Sequence, residues 1–146
     1  MDTGTAYPAQ IDQLIADFDL LDDWEDRYRH VIELGRALPA LPEAERTETN
    51  KVRGCASQVW LSTHVEAGDG GSRRLRFAGD SDALIVKGLV AIAIALFSDR
   101  SPQEIRATDA EALFERLDLR AHLTTQRSNG LRALVDRIKG DAEAAL

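Results

Sequence analysis

Cysteine, aromatic residues, positive charge and long apolar runs are all scarce in this sequence, and each scarcity removes a class of explanation. Among 146 residues there is one cysteine, Cys55. A single thiol closes no internal disulfide, so no covalent staple is expected, and a free thiol suits a reducing cytosol. Stability must then come from a core. With 44% hydrophobic residues, the chain fits one domain over 1–146, long enough to bury about two-thirds of the surface its unfolded form exposes. The uncharged, mainly apolar run at residues 88–98 falls short of the roughly 20 residues that span a bilayer. The opening MDTGTAYPAQ has no basic n-region and no apolar h-region, so no signal peptide and no membrane association are expected, and the location implied is cytoplasmic. Basic residues number 18 against 25 acidic, net charge −7. A phosphate backbone gains little from that balance, and nucleic acid is not expected as a partner.

What is present is a succession of patterned segments. Residues 1–7 are polar and expected to fray. Ile11, Leu14, Ile15 and Phe18 follow helical spacing to about Leu20. A second helix is expected to start at Asp22 or Asp23; Asp22 with Glu25 three positions on resembles a capping box, and Trp24, Tyr28, Val31, Ile32, Leu34 and Leu38 continue as an apolar stripe that Pro39 stops. Residues 40–50 are polar and without period, a surface connection. Val59, Leu61, Thr63 and Val65 then alternate with Trp60, Ser62, His64 and Glu66, the pattern of a half-buried strand. GDGGS supplies a turn, and residues 74–77 return as a second strand. A short strand around Val52 would pair with these and complete a small three-stranded antiparallel sheet.

Residues 83–97 have almost no polar face and predict a helix at the centre of the core. Ser101, Pro102 and Glu104 combine a cap, a first-turn proline and a third-position glutamate, and Thr108 with Glu111 repeats the box. Two short helices follow. Thr125 is placed to cap a last helix carrying Leu131, Leu134, Val135 and Ile138, before a frayed GDAEAAL tail. Strands grouped in the middle of flanking helices predict an α+β fold, helices packed on the sheet.

Few residue groups carry chemistry. His30, His64 and His122 are far apart and form no ligand pattern, so they read as surface or packing residues and no metal site is expected. GDGGS and GDSD lack the spacing of a phosphate loop and read as a turn and a helix start. Cys55 reads either as a small buried hydrophobe or as a reactive thiol. Its setting, NKVRGCASQVW, is a segment of small and polar residues in which Gly54 permits a tight turn, placing the thiol at a loop tip. Lys51 and Arg53 add nearby positive charge, which favours the thiolate.

NKVRGCASQVWL resembles the signature of the SufE family of sulfur acceptors. WEDRYRHVIELGRALPAL, GDSDALIVKGLVAIAIALFS and LTTQRSNGLRAL are similar to further family segments, in the same order. The resemblance implies an α+β fold shared with IscU-type scaffolds. It also implies that Cys55 takes sulfur as a persulfide from a SufS-type cysteine desulfurase, stimulates that enzyme, and delivers the sulfur to a SufBCD-type Fe–S assembly scaffold. Pyridoxal phosphate would belong to the partner, and this chain would need no cofactor of its own. It would be an accessory protein in sulfur transfer, compatible with a homodimer, rather than an independent enzyme. Arg127 matches a family arginine near the cysteine loop and would stabilise a thiolate or hold the loop. Asp80 and Asp82 fall in the matching GDSDA block, where Asp82 also suits a helix N-terminus. Gln58 and Trp60 read as loop anchors.

A lone cysteine suits a carrier. A second thiol could attack the persulfide, release sulfide and close a disulfide. The loop is expected to hold Cys55 partly against the domain at rest and to turn it out into a partner's pocket. Two other readings predict different behaviour: a cysteine hydrolase or amidotransferase using a histidine base, active without a partner, and a non-catalytic interaction domain whose thiol is incidental.

Overall fold

The computed structural model describes residues 7–146, apart from the side chain of Asp69. The expected frayed N-terminus lies outside these residues except for Tyr7, which packs against the core.

Helix α1 (Ala9–Leu20) turns Ile11, Leu14 and Phe18 inward. Helix α2 (Trp24–Ala37) is capped by Asp23, whose carboxylate accepts the Asp26 N–H at 2.8 Å, one residue later than the expected Asp22 box. That register sets Trp24 edge-on to Phe18, ring centroids 5.9 Å apart. Strands β1 (Val59–Ala67) and β2 (Arg73–Ser81) run antiparallel, from the pair Val59 and Ser81 to the pair Ala67 and Arg73. Helix α3 (Leu84–Phe97) buries Leu89, Val90, Ile92, Ala93, Leu96 and Phe97 and touches α1, α2, β2 and the last helix, α7 (Thr125–Ala144). It is the central element that its near-absence of a polar face predicts. Between α3 and α7 lie α4 (Pro102–Ala107), α5 (Ala110–Arg116) and α6 (Leu119–His122).

The sheet corrects one expectation. Among the described residues it has two strands, not three. Lys51 makes a single isolated bridge to Trp60, with the Val52 N–H donating to the Val59 carbonyl and the Leu61 N–H to the Asn50 carbonyl, both at 2.8 Å. Pairing stops there because a turn over residues 48–50 precedes it and Gly54, at φ +91°, swings the chain away after it. Only a stub of the predicted third strand lies flat against β1.

The 40–50 connection does more than cross the surface. It covers the outer face of the sheet, burying Leu41 and laying the Arg46 guanidinium over the Trp60 ring, 5.1 Å from its centroid. Trp60 and Ser62 are therefore buried along with Val59 and Leu61, while Val65 at the far end of β1 is 52% exposed. Helix caps shift by one residue elsewhere too. Asp109, not Thr108, caps α5, and Thr124, not Thr125, caps α7. The Ser101 and Glu104 capping box forms as expected, with bonds of 3.1 and 3.0 Å. The C-terminal tail is not frayed: α7 continues to Ala144, and Ala142 and Ala145 are buried. Small side chains there let the helix end lie close to β2, where Arg73 donates to the Ala145 carbonyl at 2.9 Å.

Candidate functional site

The stretch 53–58 leaves the sheet and returns to it at one place. Its near end is tied by the Val52 to Val59 bond just described, and its far end by the Gln58 N–H, which donates to the Asp82 carboxylate at 3.1 Å. Gly54 is required here on two counts. Its positive φ is seldom adopted by L side chains, and a Cβ on it would stand 3.3 Å from the Ala133 Cβ of α7. The resulting turn lays Cys55 on α7, where the thiol donates to the Gly130 carbonyl at 3.6 Å. Gly130 in turn has no side chain to intervene. A Cβ there would be 3.4 Å from Sγ.

Cys55 is half-buried. Burial pushes its thiol above the ordinary value, and no charged neighbour offsets the effect. Beside it opens a cavity of about 210 Å³. Its back is apolar, formed by Val59 of β1, by Val86, Leu89 and Val90 of α3, and by Leu131 and Leu134 of α7. Ser57, Thr124, Gln126 and Arg127 supply its polar groups. The helical repeat explains the α7 contribution, since residues 127, 130, 131 and 134 share one face. Thr124 fixes where that face begins, its hydroxyl accepting the Arg127 N–H at 3.2 Å. The preceding α6 is held against α2. Tyr28 donates its hydroxyl to the His122 carbonyl, and Trp24 stacks on the His122 ring with centroids 4.0 Å apart.

The structure thus brings Cys55 and Arg127 together on one cavity, with Gly54 shaping the turn. It does not bring Lys51 or Arg53 there. Arg53 is exposed and paired with Glu48 at 3.2 Å, and neither it nor Lys51 lines the cavity. Asp80 also lies off the cavity, 2% exposed beneath the 40–50 connection. It accepts from the Leu41 N–H at 3.1 Å, the Ser81 N–H at 2.8 Å and Arg46 at 2.7 Å, with Lys87 at 3.4 Å. Burial alone would raise its carboxyl, but these donors and cations outweigh it and hold the group below its ordinary value. Asp82 is a loop tether. Trp60 is buried beside the loop base.

None of the three histidines lines the cavity. His30 lies 3.3 Å from Asp17, His64 is within 3.3 Å of both Ser62 and Glu45, and His122 is stacked on Trp24. A Cys–His catalytic pair is therefore not assembled. No group of three or more His, Cys, Asp or Glu side chains among the described residues is arranged to hold a metal ion. Likewise, no helix there is long and apolar enough to cross a membrane. Sequence reasoning missed Gly130 and the apolar lining. The available signal was a glycine inside a helical pattern, which often marks a close approach of another segment.

Comparison with known proteins gives this geometry a context. Residues 12–142 match the family described as SufE: Fe-S metabolism associated domain. An uncharacterized SufE-like protein of Rhizobium meliloti (strain 1021) is 55% identical over 136 residues, spanning 93% of this chain and 96% of the relative. One from Rhizobium etli is 56% identical over 137 residues, spanning 94% and 92%. A solution structure of a hypothetical protein from Thermus thermophilus superposes with a TM-score of 0.73 at 21% identity, covering 96% of this chain and 98% of that one. At that identity it speaks for the fold alone.

Proposed function

Since this chain belongs to the SufE family of Fe–S metabolism associated domains, we propose that it is a sulfur acceptor and carrier with Cys55 as the acceptor. A SufS-type cysteine desulfurase, which holds its own pyridoxal phosphate, presents a cysteine persulfide. The Cys55 thiolate attacks the outer sulfur of that persulfide. A new S–S bond forms on Cys55, the donor's S–S bond breaks, and the donor leaves as a thiolate. A SufBCD-type scaffold then receives the sulfur, and unloading Cys55 stimulates the desulfurase by restoring its acceptor.

The observation that carries this reading is the half-buried thiol of Cys55 at the wall of a largely apolar cavity, in a chain with no second cysteine. At rest, burial favours the neutral thiol, the less reactive form. Activation then belongs to docking, when the loop turns Cys55 out of its contact with Gly130 and into the partner's site. Once loaded, the thiol returns to the cavity, where its outer sulfur is shielded from cytosolic thiols. Arg127 is the cation at that cavity and would steady the anion of thiolate or persulfide.

The test incubates the protein with a cognate desulfurase and free cysteine and weighs the intact chain. A gain of sulfur that reductant removes and that Cys55→Ser abolishes is the expected result. No gain with an active desulfurase would overturn the carrier role. Desulfurase stimulation that survives Cys55→Ser would instead favour an interaction domain with an incidental thiol.

A further inference from the structure

The cavity beside Cys55 is much larger than one transferred atom, and we propose that it houses a short chain of sulfurs, so that Cys55 can be loaded more than once before delivery. This rests on the carrier reading and extends it to the form of the cargo, a linear polysulfide on one cysteine.

Size is the first consideration. A water molecule's share of liquid volume is about 30 Å³, and divalent sulfur is of similar bulk. A cavity of about 210 Å³ therefore has space for several such atoms. Position is the second. The space begins at the thiol itself, because Cys55 lines it together with Gly130 of α7. Chemistry is the third. Leu89, Leu131 and Leu134 offer the soft, weakly polar surroundings that divalent sulfur favours over water, and Arg127 on the same cavity can pair with a terminal sulfur anion.

The second loading balances as the first does. After one transfer Cys55 carries an outer sulfur that ionises. That anion attacks the outer sulfur of a freshly recharged desulfurase persulfide. One sulfur–sulfur bond forms on this chain, one breaks on the donor, and the donor leaves as a thiolate; the transferred sulfur keeps its proton. Free cysteine recharges the donor, so no further oxidant is needed. With no second thiol in the chain, nothing within the molecule cuts the growing chain by internal attack.

The experiment supplies desulfurase and excess cysteine without oxygen and records the intact mass under non-reducing conditions. Adducts of one sulfur and of at least two are expected, all removed by reductant and absent from Cys55→Ser. Narrowing the cavity from two sides by Leu134→Phe with Val86→Trp should keep the one-sulfur species while the longest adducts fall about tenfold, since the added bulk takes roughly half of the space. Val86→Trp alone, at a half-buried wall position, repeats the test if the double variant does not fold. Wild-type protein that stops at one sulfur overturns the proposal and leaves the carrier reading intact. An adduct distribution unchanged in a folded, narrowed variant also overturns it, since the chain would then lie elsewhere. Wild-type protein that gains no sulfur from an active desulfurase refutes both.

Discussion

The thiol of Cys55 and the carbonyl of Gly130 face each other at 3.6 Å, the sulfur donating, with no side chain between loop and helix. Gly130 sits inside α7, where glycine is a poor helix former, so its place there answers to the thiol rather than to the helix. Gly130→Ala should raise stability by about 0.5–1 kcal/mol, and its methyl would lie 3.4 Å from Sγ, where it would slow sulfur uptake. Thermal denaturation and the rate of adduct formation read the two effects separately. Uptake at the wild-type rate would mean that incoming sulfur does not pass this face.

Arg127 is exposed, and its guanidinium has no ion-pair or hydrogen-bond partner among the described residues. Arg127→Ala should therefore change stability by no more than about 0.5 kcal/mol. Sulfur uptake should fall about tenfold, the worth of one charge-assisted hydrogen bond to the anion, and Arg127→Lys should recover part of it. Equal uptake in all three proteins would remove Arg127 from the mechanism.

Burial raises the Cys55 thiol above its ordinary value. Alkylation of the folded chain should then reach half its limiting rate at a higher pH than alkylation of the urea-unfolded chain. The sign for stability follows: the neutral thiol is favoured in the fold, so its contribution is complete below the unfolded thiol's pKa and is lost as pH rises through the folded one. A folded midpoint at or below the unfolded one would contradict this.

Asp80 behaves oppositely. Its carboxyl is held below the ordinary value, so its contribution is present above the unfolded carboxylate's pKa and is lost as pH falls through the folded one. Asp80→Asn would leave Arg46 and Lys87 without their buried counter-charge, and should cost about 3 kcal/mol. Urea titration at neutral and acidic pH measures both. The gap between variant and wild type should narrow on acidification.

Much of this arrangement is legible in residue order. The spacing of Ile11, Leu14 and Phe18, the almost wholly apolar α3, and the Ser101 box each specify local structure through local physics, and each forms as read. The third strand misleads because the segment at Val52 does pair with β1, while Gly54 ends the pairing after a single bridge. Cap positions slip by one where neighbouring residues can cap equally well. Asp22 and Asp23, or Thr124 and Thr125, are separated only by how the finished helix packs. At the site, sequence singles out Cys55 and Arg127 but gives charge a role that geometry withholds. Arg53 is close to Cys55 along the chain and spends its charge on Glu48. The raised thiol pKa comes from burial, and the thiol's contact on α7 is with a residue 75 positions away in sequence.

The two ties that close the 53–58 loop set a limit on travel. Val52 is bonded to Val59, and Gln58 to Asp82, so Cys55 stands midway, three residues from each moored position. A fully extended chain covers at most about 3.3–3.6 Å per residue. If both moorings hold, the Cys55 backbone swings on a radius of about 10 Å, and it does so without unzipping the sheet. This is a short arm on a rigid mount. On the carrier reading, a donor cannot wait for Cys55 to reach across a wide gap; it would have to bring its own sulfur to within that radius, and the mouth it offers would have to be shallow enough for a six-residue loop to enter.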